Sequence, residues 1–247
     1  MPRYKATIEY FGPAYAGFQI QPNVHTVAGA LETALQKFSR ETISINCSGR
    51  TDAGVHAKGQ VIDFFLSKSY PLYKITEGIN FYLREANELV AVQKTNKVPD
   101  DFHSRYAARE KTYEYLILNR KAPSPILSKQ AWHVRNKLDL SEMKKAASYL
   151  ESTHDFTSFR SADCQADNPV RTIDKIQISK SKDLISFKIT SRAFLYNQVR
   201  ITVGTLVEIA SGRYSAEHLK EIIAAKNRRK AGQTAPAHGL YLLNIKF

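Results

Sequence analysis

The sequence predicts an α+β protein made of two halves that share the order strand, helix, strand, strand, helix, strand. Apolar residues alternate in some short segments, as in half-buried strands, and recur at helical spacing in others. These segments follow one another in the same order over residues 1–105 and again over 106–247. Because this order gives an antiparallel or mixed sheet with helices on one face, we expect two such layers around a cleft.

The first half opens with the alternating strand Tyr4–Tyr10 and continues with a helix over Thr26–Phe38. Apolar side chains on this helix recur at Val27, Leu31 and Leu35, which is one helical face. Two strands around a glycine-rich loop, a second helix and a closing strand complete the half: Ile43–Gly49, Gln60–Leu66, Leu72–Leu83 and Glu88–Thr95.

The second half begins after the segment "PDDFHSRYAARE" and repeats the order without sequence identity to the first. Its first helix is predicted to start at Ser141, a residue type that favours N-caps. An additional helix over Ser215–Lys226 precedes the last strand. The other elements are predicted at Lys111–Leu118, Thr172–Ser179, Leu184–Thr190, Phe194–Ala210 and Gly239–Phe247.

Composition excludes several classes of protein. There is no apolar run of membrane-spanning length and no apolar signal core near the start, so we expect a cytoplasmic protein. Cys47 and Cys164 lie far apart and show no ligand spacing, which predicts reduced thiols and no zinc site. Dinucleotide, P-loop, GxSxG and HExxH motifs are missing, so the sequence predicts chemistry without a cofactor or metal.

The charge points to a polyanionic partner, because a formal net charge of +13 gives a field that attracts nucleic acid. Residues 1–105 carry 12 Lys and Arg against 10 Asp and Glu, whereas residues 106–247 carry 24 against 13. The second half therefore supplies most of the attraction. One short basic run is either a contact for RNA phosphates or a solvated helix end: Lys226, Arg228, Arg229 and Lys230.

The stretch "SGRTDAGVHAKGQV", Ser48–Val61, is the main candidate for catalysis. In an extended segment Arg50 and Asp52 face the same way, so the guanidinium would keep the carboxylate ionised and suited to act as nucleophile or base. The alternative is a turn that Asp52 merely caps, with Arg50 as its surface partner. A catalytic role for His56 is disfavoured, because no serine or cysteine nucleophile stands at a recognised elbow.

Two further positions bear on the site. Tyr113 and Tyr115 alternate onto one face of a strand, where an aromatic ring can stack on a nucleobase, although tyrosine is also an ordinary strand residue. Arg200 lies in an otherwise apolar helix, where its charge either finds a partner or reaches solvent along the helix flank.

The chain resembles the bacterial tRNA pseudouridine synthase A family from end to end. The resemblance rests on six blocks in order, of which "GRTDAGVHA" is highly specific for the family: "YFGPAYAGFQIQP", "SGRTDAGVHAKGQV", "VPDDFHSRYAAREKTYEY", "HDFTSF", "FLYNQVRITVGTL" and "TAPAHGLYL". It implies the pseudouridine synthase fold, with two ferredoxin-like halves around an RNA-binding cleft. The implied activity is isomerisation of uridine to pseudouridine in the anticodon stem-loop of tRNA, at positions 38–40, by a homodimer without a cofactor.

The resemblance also implies roles for individual residues. Asp52 would be the nucleophile, adding either to C6 of uracil or to C1′ of the ribose, and Arg50 would help to flip the target nucleotide out of its stack. Tyr113 would pack on the base and serve in proton transfer. Arg200 would pair with Asp52, and Leu240 would form part of an apolar floor.

Two alternatives to this activity stay open at the level of sequence. One is an RNA-binding module that has lost catalysis and works on tRNA folding. The other is a divergent copy of the enzyme with a different uridine target. The presence of Asp52, Arg50, Tyr113 and Arg200 favours an active enzyme, since decay is expected at these positions first.

Overall fold

The computed structural model describes Met1–Phe247 and divides into two compact units. The first unit is Met1–Arg109 with Tyr241–Phe247, and the second is Glu110–Leu240. The sequence placed the last strand in the second half, whereas nearly all of it belongs to the first unit. The physical reason is backbone pairing, because Tyr241 and Leu242 pair in parallel with His56 and Ala57 of a first-unit strand.

The first unit has the predicted βαββαβ order. Its elements are β1 (Arg3–Tyr10), α1 (Val27–Ser39), β2 (Asn46–Cys47), β3 (His56–Phe65), α2 (Leu72–Glu85), β4 (Val90–Val98) and the short α3 (Ser104–Ala107). Strand β1 lies between β4 and β3 and is antiparallel to both. Strand β2 is much shorter than predicted, because the side chain of Glu32 accepts the Ile45 amide and takes the place of a strand partner.

The core of the first unit lies between its sheet and the helices α1 and α2. Alternate residues of β1, namely Tyr4, Ala6 and Ile8, are buried, together with the apolar faces of the two helices. Helix α1 begins after Thr26, whose hydroxyl accepts the amide of Gly29. The predicted periodicity of this helix is confirmed.

A buried ion pair fixes the segment that leads out of the first unit. Asp63 accepts hydrogen bonds from the guanidinium of Arg3 and from the amide of Ser104 at 2.8 Å, and Arg3 also donates to the carbonyl of Asp100. Burial alone would raise the pKa of Asp63, but the hydrogen bonds from Ser104, Asn46 and Arg3 outweigh it and lower this pKa. The carboxylate therefore stays charged and holds residues 100–104 against the sheet.

The second unit contains the remaining strands and helices. They are β5 (Glu110–Asn119), β6 (Trp132–Val134), α4 (Leu140–Ser148), β7 (Ser152–Asp155), β8 (Val170–Ile173), β9 (Lys175–Ser181), β10 (Leu184–Ser191), α5 (Gln198–Ala210) and α6 (His218–Ala225); β11 (Leu240–Lys246) then returns to the first unit. Strand β10 lies between β5 and β9 and is antiparallel to both, while β6 joins β5 in parallel and β7 pairs with β8.

Four predicted elements of the second unit differ in the structure. The additional helix over Ser215–Lys226 is shorter, since α6 covers His218–Ala225. The strand over Thr172–Ser179 is broken at Asp174, and β8 leaves the main sheet to pair with β7. Helix α4 starts after Asp139 rather than at Ser141, because the Asp139 carboxylate accepts the amides of both Ser141 and Glu142. Helix α5 begins at Gln198, four residues later than predicted.

Helix α5 is the central helix of the second unit and is buried on nearly all sides. Gly204 allows the segment after α6 to lie directly against it, since a Cβ at this position would stand 1.8 Å from the carbonyl oxygen of Gln233. This close approach brings Ala235 beside the first turn of α5. No helix in the structure is long and apolar enough to cross a bilayer.

Candidate active site

The glycine-rich loop between β2 and β3 presents Asp52 at a turn. The amide of Val55 donates to the carbonyl of Asp52 at 3.1 Å, and Gly54 within this turn has a φ of 80°, which favours glycine. The Asp52 side chain is half-buried, and Arg50 is exposed. Residues 50–52 are thus part of a loop and not of a regular strand.

A second segment, Phe11–Phe18, supports this loop from within the first unit. The amide of Phe18 donates to the carbonyl of Thr51 at 3.1 Å, and the Thr51 hydroxyl lies 2.7 Å from the hydroxyl of Tyr10. Gly17 has a φ of 101° and passes so close that an added Cβ would stand 3.1 Å from the Thr51 carbonyl oxygen. Both the backbone and the side chain of the residue before Asp52 are therefore held in place.

His56 has a structural position next to the loop. It is buried, its ring stacks on Tyr241 with centroids 4.4 Å apart, and its Nδ1 lies 3.3 Å from the amide of Gly12, from which it accepts a hydrogen bond. The His56 ring therefore packs between Tyr241 and the segment Phe11–Phe18, and it accepts a hydrogen bond from the backbone of that segment. That His56 has no catalytic role stays a prediction.

The two tyrosines of β5 share a face, as predicted, but have different environments. Tyr115 is buried, and its hydroxyl donates to the carbonyl of Pro236 at 2.7 Å. Burial raises its pKa well above the usual tyrosine range, although the nearby charge of Arg200 opposes the shift. Tyr113 is only half-buried and meets the ring of Phe194 edge to face at 5.3 Å. Tyr113 is consequently the better placed of the two for a ligand.

Arg200 lies in the first turn of α5 and is held by two neutral acceptors. Its Nε donates to the carbonyl of Ala235 at 2.7 Å, and its Nη1 donates to Oδ1 of Asn197 at 2.8 Å. These bonds orient the guanidinium without cancelling its charge. His238 lies nearby, and burial, followed by the charges of Lys129 and Arg200, lowers its pKa, so this imidazole is neutral at pH 7.

The basic run after α6 is only partly available for RNA. Lys226 forms an ion pair with Asp155 at 3.1 Å, and Arg228 donates to the carbonyl oxygens of Ala231 and Gly232 and to the hydroxyl of Thr234. Arg229 and Lys230 are exposed. Neither the periodicity nor the charge of the sequence predicts which of these basic residues are engaged within the protein and which are exposed.

The structure thus assembles the predicted residues in two groups. Asp52 and Arg50 lie on one loop of the first unit, while Tyr113, Arg200 and Leu240 belong to the second unit, where Leu240 is buried. Pairing of Arg200 with Asp52 stays a prediction. Sequence reasoning missed Tyr10 and Thr51, which contact each other across 41 residues of sequence. It also missed Asn197, which contacts the nearby Arg200 but is held by the distant Ser161. No group of three or more His, Cys, Asp and Glu side chains is placed to hold a metal ion.

Comparison with known proteins identifies the family of the chain. A family model described as tRNA pseudouridine synthase matches residues 6–107 and 146–247. The proteins named tRNA pseudouridine synthase A from Brucella ovis, Brucella canis and Brucella melitensis are each 41% identical to this chain over 247 residues, covering 100% of this chain and 98% of theirs. The chain therefore belongs to the tRNA pseudouridine synthase family, whose members isomerise uridine in tRNA.

Proposed function

We propose that this enzyme forms pseudouridine in the anticodon stem-loop of tRNA and that Asp52 is its nucleophile. The observation that carries the proposal is the position of Asp52, half-buried on a glycine turn whose preceding residue is fixed by Tyr10 and Phe18. A carboxylate with a defined position next to an exposed arginine is suited to attack a nucleotide that has left its stack.

The reaction rearranges the substrate without a net change in its atoms. Asp52 adds either to C6 of the uracil or to C1′ of the ribose, and the bond between N1 and C1′ breaks. The uracil then rotates, and a bond forms between C5 and C1′. In the C1′ route C5 displaces the Asp52 carboxylate as the C5–C1′ bond forms, whereas in the C6 route the carboxylate leaves C6 after that bond has formed. In both routes C5 loses a proton, N1 gains one, and the carboxylate of Asp52 is regenerated unchanged.

The other predicted residues have roles that fit their environments. Arg50 is exposed beside the nucleophile and would occupy the space that the flipped nucleotide leaves in the stem-loop. Tyr113 would stack on the uracil and take part in moving the C5 proton. Arg200 would pair with Asp52 and stabilise its ionised form, and Leu240 would exclude water from the reacting atoms.

The tRNA itself would be held mainly through its phosphates. The net charge of +13 favours binding to a polyanion. Within the basic run Arg229 and Lys230 are exposed, whereas Lys226, which is also exposed, pairs with Asp155. We also propose that the enzyme acts as a homodimer in the cytoplasm, as its resemblance to the synthase A family implies.

The first test is to map pseudouridine, by chemical probing, in tRNA from cells with and without this gene. The proposal predicts that pseudouridines in the anticodon stem-loop disappear with the gene and return when purified enzyme acts on the unmodified tRNA. Pseudouridine that depends on the gene at a different tRNA position would identify the divergent-copy alternative. Unchanged maps, combined with tight tRNA binding, would support the decayed binding module instead.

The homodimer has its own test in sedimentation equilibrium. A dimer has twice the chain mass of 27.9 kDa. A single species at the mass of one chain, at all concentrations used in the activity measurements, would contradict this part of the proposal without affecting the assignment of Asp52.

A further inference from the structure

We propose that Asn197 is a positioning residue for Arg200, and that Ser161 holds Asn197 in the orientation this requires. The inference rests on the proposed catalytic role of Arg200, and the experiment below separates the failure of one from the failure of the other.

Asn197 is the N-cap residue of α5, but its side chain does not cap the helix. An N-cap asparagine ordinarily has extended backbone angles, and its side-chain oxygen accepts one of the first free helix amides. Here the backbone is left-handed, with φ 60° and ψ 6°, and no side-chain capping bond forms. The oxygen instead accepts Nη1 of Arg200 at 2.8 Å. The Asn197 side chain is therefore engaged by the guanidinium and not by the helix N-terminus.

Ser161 holds the end of the Asn197 amide that faces away from the arginine. The Nδ2 of Asn197 donates to the hydroxyl oxygen of Ser161 at 2.8 Å, and the amide of Ser161 donates to the carbonyl of Tyr196 at 3.2 Å. Because a guanidinium has only donors, the oxygen of Asn197 must point to Arg200 and its NH₂ group to Ser161. In this series of hydrogen bonds Arg200 donates to Asn197, and Asn197 donates to Ser161.

The opposite edge of the guanidinium is held by backbone. Nε of Arg200 donates to the Ala235 carbonyl at 2.7 Å, and the amide of Ala235 donates back to the carbonyl of Arg200 at 3.1 Å. Gly204 permits this segment to lie against α5. With Asn197 on one side and Ala235 on the other, two of the five N–H groups orient the planar guanidinium.

The turn before α5 is built so that Asn197 adopts this conformation. The side-chain oxygen of the buried Gln198 accepts the amide of Leu195 at 2.8 Å, and the amide of Gln198 donates to the carbonyl of Leu195 at 3.0 Å. These two hydrogen bonds between Leu195 and Gln198 fix the turn that contains Asn197, and the Asn197 side chain contacts Arg200. The turn that begins helix α5 thus also places the residue that orients Arg200.

Asn197→Gly is the informative variant, because glycine tolerates the left-handed backbone and removes only the side-chain bonds. We expect the single-turnover rate to fall roughly 10- to 100-fold, the range for loss of a hydrogen bond to a charged group, with tRNA affinity and thermal stability close to the parent. Ser161→Ala should lower the rate less. Asn23→Gly is the matched control, since Asn23 also has a left-handed φ, of 61°, and is exposed.

A double-mutant cycle shows whether Asn197 acts through Arg200. If it does, Asn197→Gly has little further effect in an Arg200→Lys background. A parental rate for Asn197→Gly, or losses that add in the double variant, would overturn the positioning role. Arg200→Ala measured alone tests the underlying assignment, because a parental rate in that variant would remove the catalytic role of Arg200 whatever Asn197 does.

Discussion

Tyr113 and Tyr115 lie on one face of the same strand but differ in burial and in hydrogen bonding. Tyr115 has its hydroxyl committed to the Pro236 carbonyl, and burial raises its pKa, so it is a structural donor. Tyr113 is half-buried beside Phe194 and keeps part of its ring accessible. The alternation in the sequence predicted the shared face, but only the packing of the segment near Pro236 separates the two roles.

The role of the Tyr113 hydroxyl in proton transfer can be tested by removing its oxygen atom. In Tyr113→Phe the ring remains for stacking, so tRNA affinity should be retained, while the single-turnover rate falls about 100-fold if the hydroxyl transfers a proton. Tyr106→Phe serves as the control, since Tyr106 is 73% exposed on α3 and outside the proposed site. A parental rate in Tyr113→Phe would limit this residue to stacking.

Charged residues in unusual settings stand out in the sequence, whereas residues that contribute through hydrogen bonds do not. Asp52 and Arg200 are conspicuous because one is an acidic residue in a glycine-rich loop and the other a charge in an apolar helix. Tyr10 and Thr51 are 41 residues apart and become partners only through the pairing of β1 with β3. Such contacts depend on how distant strands and loops pack together, which the local periodicity of the sequence does not predict.

At the scale of elements, strongly periodic segments were predicted correctly and short ones were not. Helices α1 and α2 and strands β1 and β4 match their predicted positions closely, because a buried face imposes its period on the sequence. Strands β6 and β7 have three and four residues, too few for a pattern. The start of α5 was misplaced, because the apolar residues Phe194 and Leu195 continue the helical spacing into a turn.

The segment Phe11–Phe18 is the element that fixes the nucleophile loop, and Gly17→Ala tests this function. A Cβ at position 17 requires a left-handed alanine and pushes on the backbone of Thr51 and Ala53 by a few tenths of an ångström. We expect a rate about 10-fold lower, since small displacements of a reacting group reduce catalysis strongly.

Gly212→Ala is the matched control for that prediction. Gly212 also has a positive φ, of 82°, but a Cβ there meets nothing within 4 Å. Both variants should lose similar stability, roughly 1 kcal/mol, from the left-handed backbone. Equal rates for the two variants in tRNA modification would show that the Phe11–Phe18 segment does not position Asp52.

At the scale of the whole molecule, net charge and family membership together indicate how tRNA is bound. The excess of 13 positive charges is carried mainly by residues 106–247, while the proposed nucleophile belongs to the less charged first unit. The proposed nucleophile thus lies outside the part of the chain that carries most of the positive charge. Composition predicted the polyanionic partner, but the motif blocks were needed to identify it as tRNA.

Salt dependence of tRNA affinity measures the phosphate contacts directly. We expect the affinity to fall at least about 100-fold between 50 and 200 mM salt, as counterions compete with Lys and Arg. Arg229→Ala with Lys230→Ala should reduce the slope, whereas Lys226→Ala should change it less because Lys226 is already paired with Asp155. An affinity that is flat over this range would contradict binding led by phosphates.

The central claim, that Asp52 is the nucleophile, is tested most directly by single-turnover release of tritium from tRNA labelled at C5 of uridine. Asp52→Asn keeps the size of the side chain and removes its charge, so we predict no detectable tritium release with tRNA affinity nearly unchanged. Asp101→Asn, the same substitution at an exposed position of the first unit, should react at the parental rate. Release by Asp52→Asn at a rate near that of the parent would contradict the account.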